Sequence, residues 1–128
     1  MQVYLCGPIN GCTDAEAKDW RQMIKNYIGE LRCIDPMVRD YRGKETENYR
    51  EIVDLDKRDV RNTSVILVNY SGPSVGTSME MFYAWTLGIP IVLWCKQDAV
   101  ISPWLRYHST TIVHSLNDAC KKVLEFIQ

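Results

Sequence analysis

Several features that would place the chain in a common class are missing from its sequence. It has no basic start followed by an apolar segment, and no apolar run approaches the roughly 18 residues of a membrane helix, so neither export nor membrane insertion is expected. Fifteen basic residues nearly balance sixteen acidic ones, without a basic stripe. A nucleic-acid polymer or an anionic membrane is therefore not an expected partner, and any bound nucleotide should be a free one.

The sequence also lacks the paired cysteines of a disulfide framework and the clustered cysteines and histidines of a metal site. The five cysteines are odd in number and scattered, with no C-x-x-C pair and no histidine nearby, which argues against a disulfide framework or a zinc site and for a reducing cytoplasm. His108 and His114 have a spacing that suits neither one helical face nor an H-E-x-x-H site. The segment 33–39 has C-x5-R spacing, but Asp35 and Pro36 make it a poor phosphate cradle. No metal and no cofactor is expected.

The remaining composition, 46% hydrophobic over 128 residues, predicts a single globular domain over residues 1–128. Strands alternating with helices predict a three-layer α/β fold with a mostly parallel five-stranded sheet, doubly wound in the flavodoxin or Rossmann manner. Loops after the strands at 2–6, 64–70 and 91–95 should form the site. The strands are predicted at 2–6, 32–35, 64–70, 91–95 and 110–113, and the helices at 11–31, 48–62, about 77–88 and 116–127, with a turn or short helix around 102–107.

The first helix carries a recognisable start and an apolar face. Thr13 and Glu16 have the spacing of a capping box. A helical period of apolar residues predicts one buried face. Its members are Trp20, Met23, Ile24, Tyr27, Ile28 and Leu31. The long polar segment 37–50 that follows later is predicted to be a loop over the site.

The segment 71–78, SGPSVGTS, follows the clearest strand and opens a helix. Its glycines and hydroxyl residues, with the helix dipole, could hold an anion such as phosphate. It is neither a Walker P-loop, since no lysine follows the last glycine, nor a G-x-G-x-x-G fingerprint. A plain strand-to-helix turn capped by Ser74 or Thr77 explains the same residues.

Two carboxylates are catalytic candidates. Glu80 is predicted in the first turn of the helix after this segment, where it either faces an anchored substrate or merely complements the dipole. In the helix 48–62, Asp56 projects from the middle of an apolar arc, with Asp59 at the edge and Asp54 pointing away. A carboxylate on a buried face must be paired or functional. The arc consists of Tyr49, Ile52, Val53, Leu55 and Val60, and the pairing candidates are Arg58 and Arg61.

Taken in order, Tyr4, the segment CGPING at 6–11, Asp56 and the segment PSVGTSMEMFYAW at 73–85 resemble the nucleoside 2-deoxyribosyltransferase family. That family includes 2'-deoxynucleoside 5'-phosphate N-hydrolases and short relatives common in bacteriophages. The likeness extends from residue 3 to about residue 105. Its most specific part is the P-S-x-G-x-x-x-E pattern at 73–80, with an aspartate 24 residues before the glutamate.

The resemblance implies cleavage of the N-glycosidic bond between base and deoxyribose by double displacement. Glu80 would attack the anomeric carbon, and water or a second base would resolve the glycosyl-enzyme intermediate. Asp56 would handle the proton or position the substrate, in the manner of the second carboxylate of retaining glycosidases. Tyr4 would hydrogen-bond and orient Glu80.

The resemblance also implies binding roles. Gly7, Ile9 and Asn10 would line the base and sugar pocket, and Ser74 and Gly76 would contact a 5'-phosphate. Ser102 would be contributed by a neighbouring subunit, which implies a homodimer or larger homo-oligomer.

The residues at positions 74 and 10 bear on whether the substrate is phosphorylated. Transferases of unphosphorylated nucleosides tend to carry an acid where Ser74 stands, so the serine favours a nucleotide. Asn10 replaces an arginine of the hydrolases. Candidates for the lost charge are Arg39, Arg42 and Lys44, and Tyr41 is a candidate to stack on the base.

The leading hypothesis is a cytoplasmic, metal-free enzyme that splits 2'-deoxynucleoside 5'-monophosphates into free base and deoxyribose 5-phosphate. One alternative is a 2-deoxyribosyltransferase that exchanges bases between deoxynucleosides. Another is a non-catalytic nucleotide-binding or sensor module. Two carboxylates beside an anionic ligand argue against the module, since binding alone does not need them.

Overall fold

The computed structural model describes all 128 residues, in which strands and helices alternate. A wide helical turn, Ala15–Asp19, leads into the first helix, and short 3-10 turns lie at Glu30–Arg32 and Pro36–Val38. The longest helix has 13 residues, and no helix has the length and apolar content needed to cross a membrane. The strands are β1 Val3–Cys6, β2 Cys33–Ile34, β3 Val65–Asn69, β4 Ile91–Trp94 and β5 Thr111–Val113, and the helices are α1 Trp20–Ile28, α2 Tyr49–Arg61, α3 Val75–Thr86, α4 Pro103–His108 and α5 Leu116–Ile127.

The five strands form one parallel sheet in the order β2-β1-β3-β4-β5. Leu5 pairs with Leu67 and Val68 pairs with Leu93, which fixes the register at the centre. The predicted α/β, doubly wound fold is confirmed. Because the strand order reverses between β1 and β3, their C-terminal ends open into a crevice where such folds bind ligands.

Each face of the sheet has its own apolar layer. One layer packs β1, β3 and β4 against α1 and α5, through residues such as Leu5, Leu67 and Val123. The other packs the same strands against α2, α3 and α4. Since side chains alternate along a strand, Tyr4 and Cys6 point into this second layer, toward the two helices that carry Asp56 and Glu80.

The first helix matches its predicted start but not its predicted face. Thr13 N–H donates to Glu16 Oε1 at 2.9 Å, and Glu16 N–H donates to Thr13 Oγ1 at 3.2 Å, so the capping box is present. Gly29, at φ 105°, ends α1 and leaves Leu31 outside it, 90% exposed. Arg21 occupies the buried face instead. The predicted members Met23 and Tyr27 are also exposed, whereas Trp20, Ile24 and Ile28 are buried.

Gly7 lies where the first loop leaves the core, and its lack of a side chain is a packing requirement. A Cβ there would lie 2.8 Å from Trp20 Cζ2, closer than real contacts allow. Gly76, in the first turn of α3, has open space around it.

We expect Gly7→Ala to lower the free energy of unfolding by about 1–3 kcal/mol, because the added methyl group overpacks the core. Gly76→Ala is the matched control and should leave stability unchanged or raise it by up to about 1 kcal/mol. Urea unfolding followed by circular dichroism measures both. Equal effects of the two substitutions would contradict the packing argument.

Candidate active site

A pocket lies at the crevice, between the carboxyl ends of β1 and β3, the loop before α2, and the start of α3. Ile9 and Ile52 give it an apolar part, and carboxylates and arginines give it a charged part. It brings together residues from four separate segments of the chain, which are Gly7, Ile9 and Asn10; Pro36, Arg39, Tyr41, Arg42 and Glu45; Ile52 and Asp56; and Ser74, Gly76, Thr77 and Glu80.

Glu80 is held between two side chains of β1. The hydroxyl of Tyr4 donates a hydrogen bond to Glu80 Oε2, and the thiol of Cys6 lies 3.7 Å from Glu80 Oε1. Tyr4 and Cys6 are both fully buried. Each carboxylate oxygen therefore has its own donor, and the carboxylate is fixed in orientation at the floor of the pocket.

The surroundings of Glu80 change its ionisation. Burial raises the pKa of Glu80 to about 8, and the charge of Asp56 adds to the rise. The hydrogen bond from Tyr4, the charge of Arg21 and the thiol of Cys6 act in the opposite direction, because each favours the ionised form. A carboxylate with so perturbed a pKa in a cleft is typical of a functional group.

The prediction that Glu80 lies in the first helical turn is wrong. α3 begins at Val75, because Ser74 caps it and its Oγ accepts from the N–H of Thr77 at 3.4 Å. Glu80 consequently lies in the second turn, on the face that packs toward β1. Its ionisation is set by burial and by neighbouring side chains rather than by the helix terminus.

Asp56 faces the pocket, but its partner differs from the expected ones. Arg39 Nη2, from the loop before α2, lies 3.2 Å from Asp56 Oδ1 and 2.7 Å from Asp59 Oδ2. Arg58 binds Asp59 at 3.1 Å, and Arg61 donates to Tyr83, so neither pairs with Asp56. Asp59, predicted at the edge of the arc, is the more buried of the two aspartates.

The surroundings of Asp56 raise its pKa. Burial raises the pKa of Asp56 above its ordinary value, Arg39 opposes the rise, and Asp59 adds to it. Its apolar neighbours on α2 are fewer than predicted, since Tyr49 and Val53 are exposed. Asp56 can therefore both give and accept a proton close to Glu80.

The polar loop before α2 lies over the pocket, as predicted. Arg42 ties it to the first loop by donating to the carbonyl of Cys12 at 3.0 Å and pairing with Asp14, and it also binds Asp40 at 2.8 Å. Tyr41 lines the pocket while its hydroxyl donates to Glu51 at 2.6 Å. Lys44 does not line the pocket.

The model of the nucleoside 2-deoxyribosyltransferase family matches residues 3–121. The chain belongs to this family. It is accordingly an enzyme of glycosyl transfer or cleavage that acts on small nucleosides or nucleotides, and the resemblance drawn from the motifs is confirmed. A non-catalytic binding module does not fit a family of enzymes.

Several solved structures share the fold of this chain. A 2-deoxyribosyltransferase from Bacillus psychrosaccharolyticus has a TM-score of 0.75 at 14% identity, over 92% of this chain and 89% of the other. BcmB, a CMP N-glycosidase from Clostridium botulinum, has a TM-score of 0.64 at 16% identity, over 96% and 98%. A 3-dehydroquinate dehydratase-like protein from Bifidobacterium longum has a TM-score of 0.51 at 12% identity, over 98% and 93%. No curated protein matches the sequence significantly.

Ser102 lies outside the pocket of this deoxyribosyltransferase-family chain. It is exposed and caps α4, where its Oγ accepts from the N–H of Trp104 at 3.2 Å. It lines a separate hollow beside Phe82, Trp104 and His108 on the outer face of α3 and α4. Every other predicted site residue of the chain lines the pocket or, in the case of Tyr4, contacts Glu80 from beneath it.

Two functional groups were missed at the sequence level. Arg21, 1% exposed, donates to the carbonyls of Leu5, Gly7 and Ala17 at 2.6 to 3.4 Å and so fixes the loop that leaves β1. Its helical spacing from Ala17 would have placed it on the buried face. Cys6 follows Tyr4 by two residues, so strand alternation would have aimed it at Glu80 as well.

Histidines, cysteines and acids form no group that could hold a metal ion. His108 is buried among aromatic rings and binds the carbonyl of Trp104 through Nδ1 at 2.6 Å. The thiol of Cys95 lies 3.9 Å from His114 Nδ1, away from the pocket. Neither histidine lies in the pocket, and both contact other groups of the chain.

The pKa of Glu80 should move in opposite directions in two variants. Tyr4→Phe removes a hydrogen bond to the ionised form and should raise the pKa, whereas Asp56→Asn removes a like charge and should lower it. Carbon-13 NMR titration of the side-chain carboxyls measures both, with Glu80→Gln used to assign the resonance. A shift in the same direction in both variants would contradict this account of the site.

Proposed function

We propose that the enzyme hydrolyses the N-glycosidic bond of 2'-deoxynucleoside 5'-monophosphates, with Glu80 as nucleophile. The observation that supports this most is the clamped carboxylate of Glu80, which shares a pocket with Asp56 and with the open start of α3. Such a carboxylate pair matches the needs of a retaining glycosidase mechanism.

In the first step the Glu80 carboxylate attacks the anomeric carbon, and the bond to the base breaks with its electron pair leaving on the base nitrogen. Asp56 gives a proton to the base, which its raised pKa favours. In the second step Asp56 takes a proton from water as the water attacks the same carbon. Deoxyribose 5-phosphate leaves, and Glu80 returns to its free form.

The start of α3 suits the 5'-phosphate. The N–H groups of Val75 and Gly76 donate to no carbonyl of the chain, and the buried Oγ1 of Thr77 has no partner. Open space around Gly76 allows an anion to approach the backbone. Ser74 adds no negative charge here, which supports a phosphorylated substrate.

Arg39 and Arg42 line the pocket, and we propose that they replace part of the charge that Asn10 lacks, although each is also paired with carboxylates of the chain. Tyr41 also lines the pocket and offers a ring on which a base could stack. Gly7, Ile9 and Asn10, on the opposite wall, would contact the sugar and the base.

A 2-deoxyribosyltransferase that exchanges bases is the second candidate, favoured by the family model and by the fold shared with the Bacillus enzyme. It would use the same first step, since only the acceptor of the second step differs. A free base in place of water would then give a new nucleoside.

Purified enzyme incubated with deoxynucleosides and their monophosphates, with and without a free acceptor base, should release deoxyribose 5-phosphate from the monophosphates. Glu80→Ala should lower kcat by at least about 1,000-fold, because it removes the nucleophile. Chromatography of bases and sugar phosphates measures this, with the exposed Glu30→Gln as control. Full activity of Glu80→Ala would overturn the mechanism, and a new nucleoside as the main product would favour the transferase.

We also propose that a second copy of the chain covers the outer face of α3 and α4. This face exposes Val75, Met79, Trp104 and Tyr107, the last two at 72% and 73%, which is a large apolar area for a lone chain. Val75 lies beside the proposed phosphate site, and Ser102 lies on the same face. A neighbouring copy would thus bring its Ser102 toward that site.

Sedimentation velocity should find a dimer or larger assembly at micromolar concentration. Trp104→Glu should dissociate it and weaken binding of a monophosphate, because a charge cannot be buried there without a partner. Leu31→Glu, on a remote exposed residue, is the control and should leave the assembly unchanged. A monomeric wild-type protein would contradict the proposal.

A further inference from the structure

The base end of the pocket can be located from the proposed function. Glu80 and Asp56 mark the place of the anomeric carbon, and the start of α3 marks the 5' end of the sugar. The base must then occupy the remaining side. The polar lining residues that belong to neither of these two places are Asn10, Arg39, Tyr41, Arg42 and Glu45.

The polar side chains on this side differ in what they can still bind. The hydroxyl of Tyr41 and the guanidinium groups of Arg39 and Arg42 are committed to carboxylates and a carbonyl of the chain. Glu45 is half-buried, lines the pocket and makes no hydrogen bond or ion pair with the rest of the chain. Among the charged groups of the loop that line the pocket, its carboxylate is therefore the one that remains free for a ligand.

We infer that Glu45 determines base specificity by accepting a hydrogen bond from an exocyclic amino group of the base. This inference rests on the function proposed above. It commits the enzyme to nucleotides of cytosine or adenine over those of uracil, thymine or hypoxanthine.

The hydrogen-bonding groups on the edge of each base explain this preference for bases with an amino group. A bound base displaces solvent from the carboxylate, and the base must then supply a donor, because an unpaired buried charge is costly. An amino group supplies that donor. Thymine, uracil and hypoxanthine have a carbonyl oxygen at the position of that amino group. Their neighbouring ring nitrogen carries a hydrogen, but a carboxylate opposite the exocyclic position meets the oxygen and is repelled. Asn10 does not discriminate, since its amide both donates and accepts.

Two pairs of substrates test the inference, dCMP with dUMP and dAMP with dIMP. The members of each pair differ in whether an amino group or a carbonyl oxygen occupies the same position of the base. In whichever pair is cleaved, kcat/KM should be about tenfold to a hundredfold higher for the amino member. Glu45→Gln should reduce this preference to about twofold or less, because an amide can turn to donate as well as accept. The matched control Glu47→Gln, on an exposed residue outside the pocket, should keep the preference.

Binding of the same four nucleotides to Glu80→Gln, followed by calorimetry, separates this inference from the proposed hydrolysis. An amino preference that Glu45→Gln removes in that background supports the role of Glu45 even where wild-type enzyme cleaves none of the four. Equal rates and equal affinities for both members of each pair would overturn the inference, as would a preference that survives Glu45→Gln. Cleavage without any preference for the amino member would support the proposed hydrolysis and contradict the role of Glu45 in base selection.

Discussion

The hydrogen bond from Tyr4 to Glu80 is the contact on which the site depends. It joins residues 76 positions apart in the chain and fixes α3 against β1 at the switch point of the sheet. The carboxylate it holds is costly to bury, and its pKa of about 8 expresses that cost. The apolar layers on both faces of the sheet offset this cost. The helices that carry Glu80 and Asp56 accordingly pack against the most buried strands.

The raised pKa values also resolve an apparent conflict. A pocket with two carboxylates should repel a nucleotide, yet burial raises the pKa of Glu80 to about 8 and so favours its uncharged form. Arg39 offsets the charge of Asp56 and Asp59. Both effects reduce the negative charge of the free pocket, while the donors on Glu80 remain in place to stabilise its ionised form.

Local patterns predicted the fold, and the family resemblance named most of the residues that line the pocket. The final helix was predicted at 116–127 and lies at Leu116–Ile127, since its apolar period and its serine cap agree. The errors have a common cause, because apolar periodicity assigns charged residues to the surface. Arg21 and Asp59 are buried through partners that lie elsewhere in the fold, and the partner of Asp56 comes from a loop 17 residues earlier. Such pairings depend on tertiary geometry that no local spacing encodes.

The fold alone does not decide the reaction, because a dehydratase-like protein shares it at 12% identity. What distinguishes this chain is the set of side chains at the strand ends, where β1 supplies two donors, α3 supplies the carboxylate and its open amides, and the loop before α2 supplies Arg39, Tyr41, Arg42 and Glu45. In the proposed mechanism, hydrolysis and transfer share the first displacement at Glu80. The choice between them then depends on whether water or a second base reaches the glycosyl intermediate, and the loop before α2, which lines the pocket, is placed to control that access.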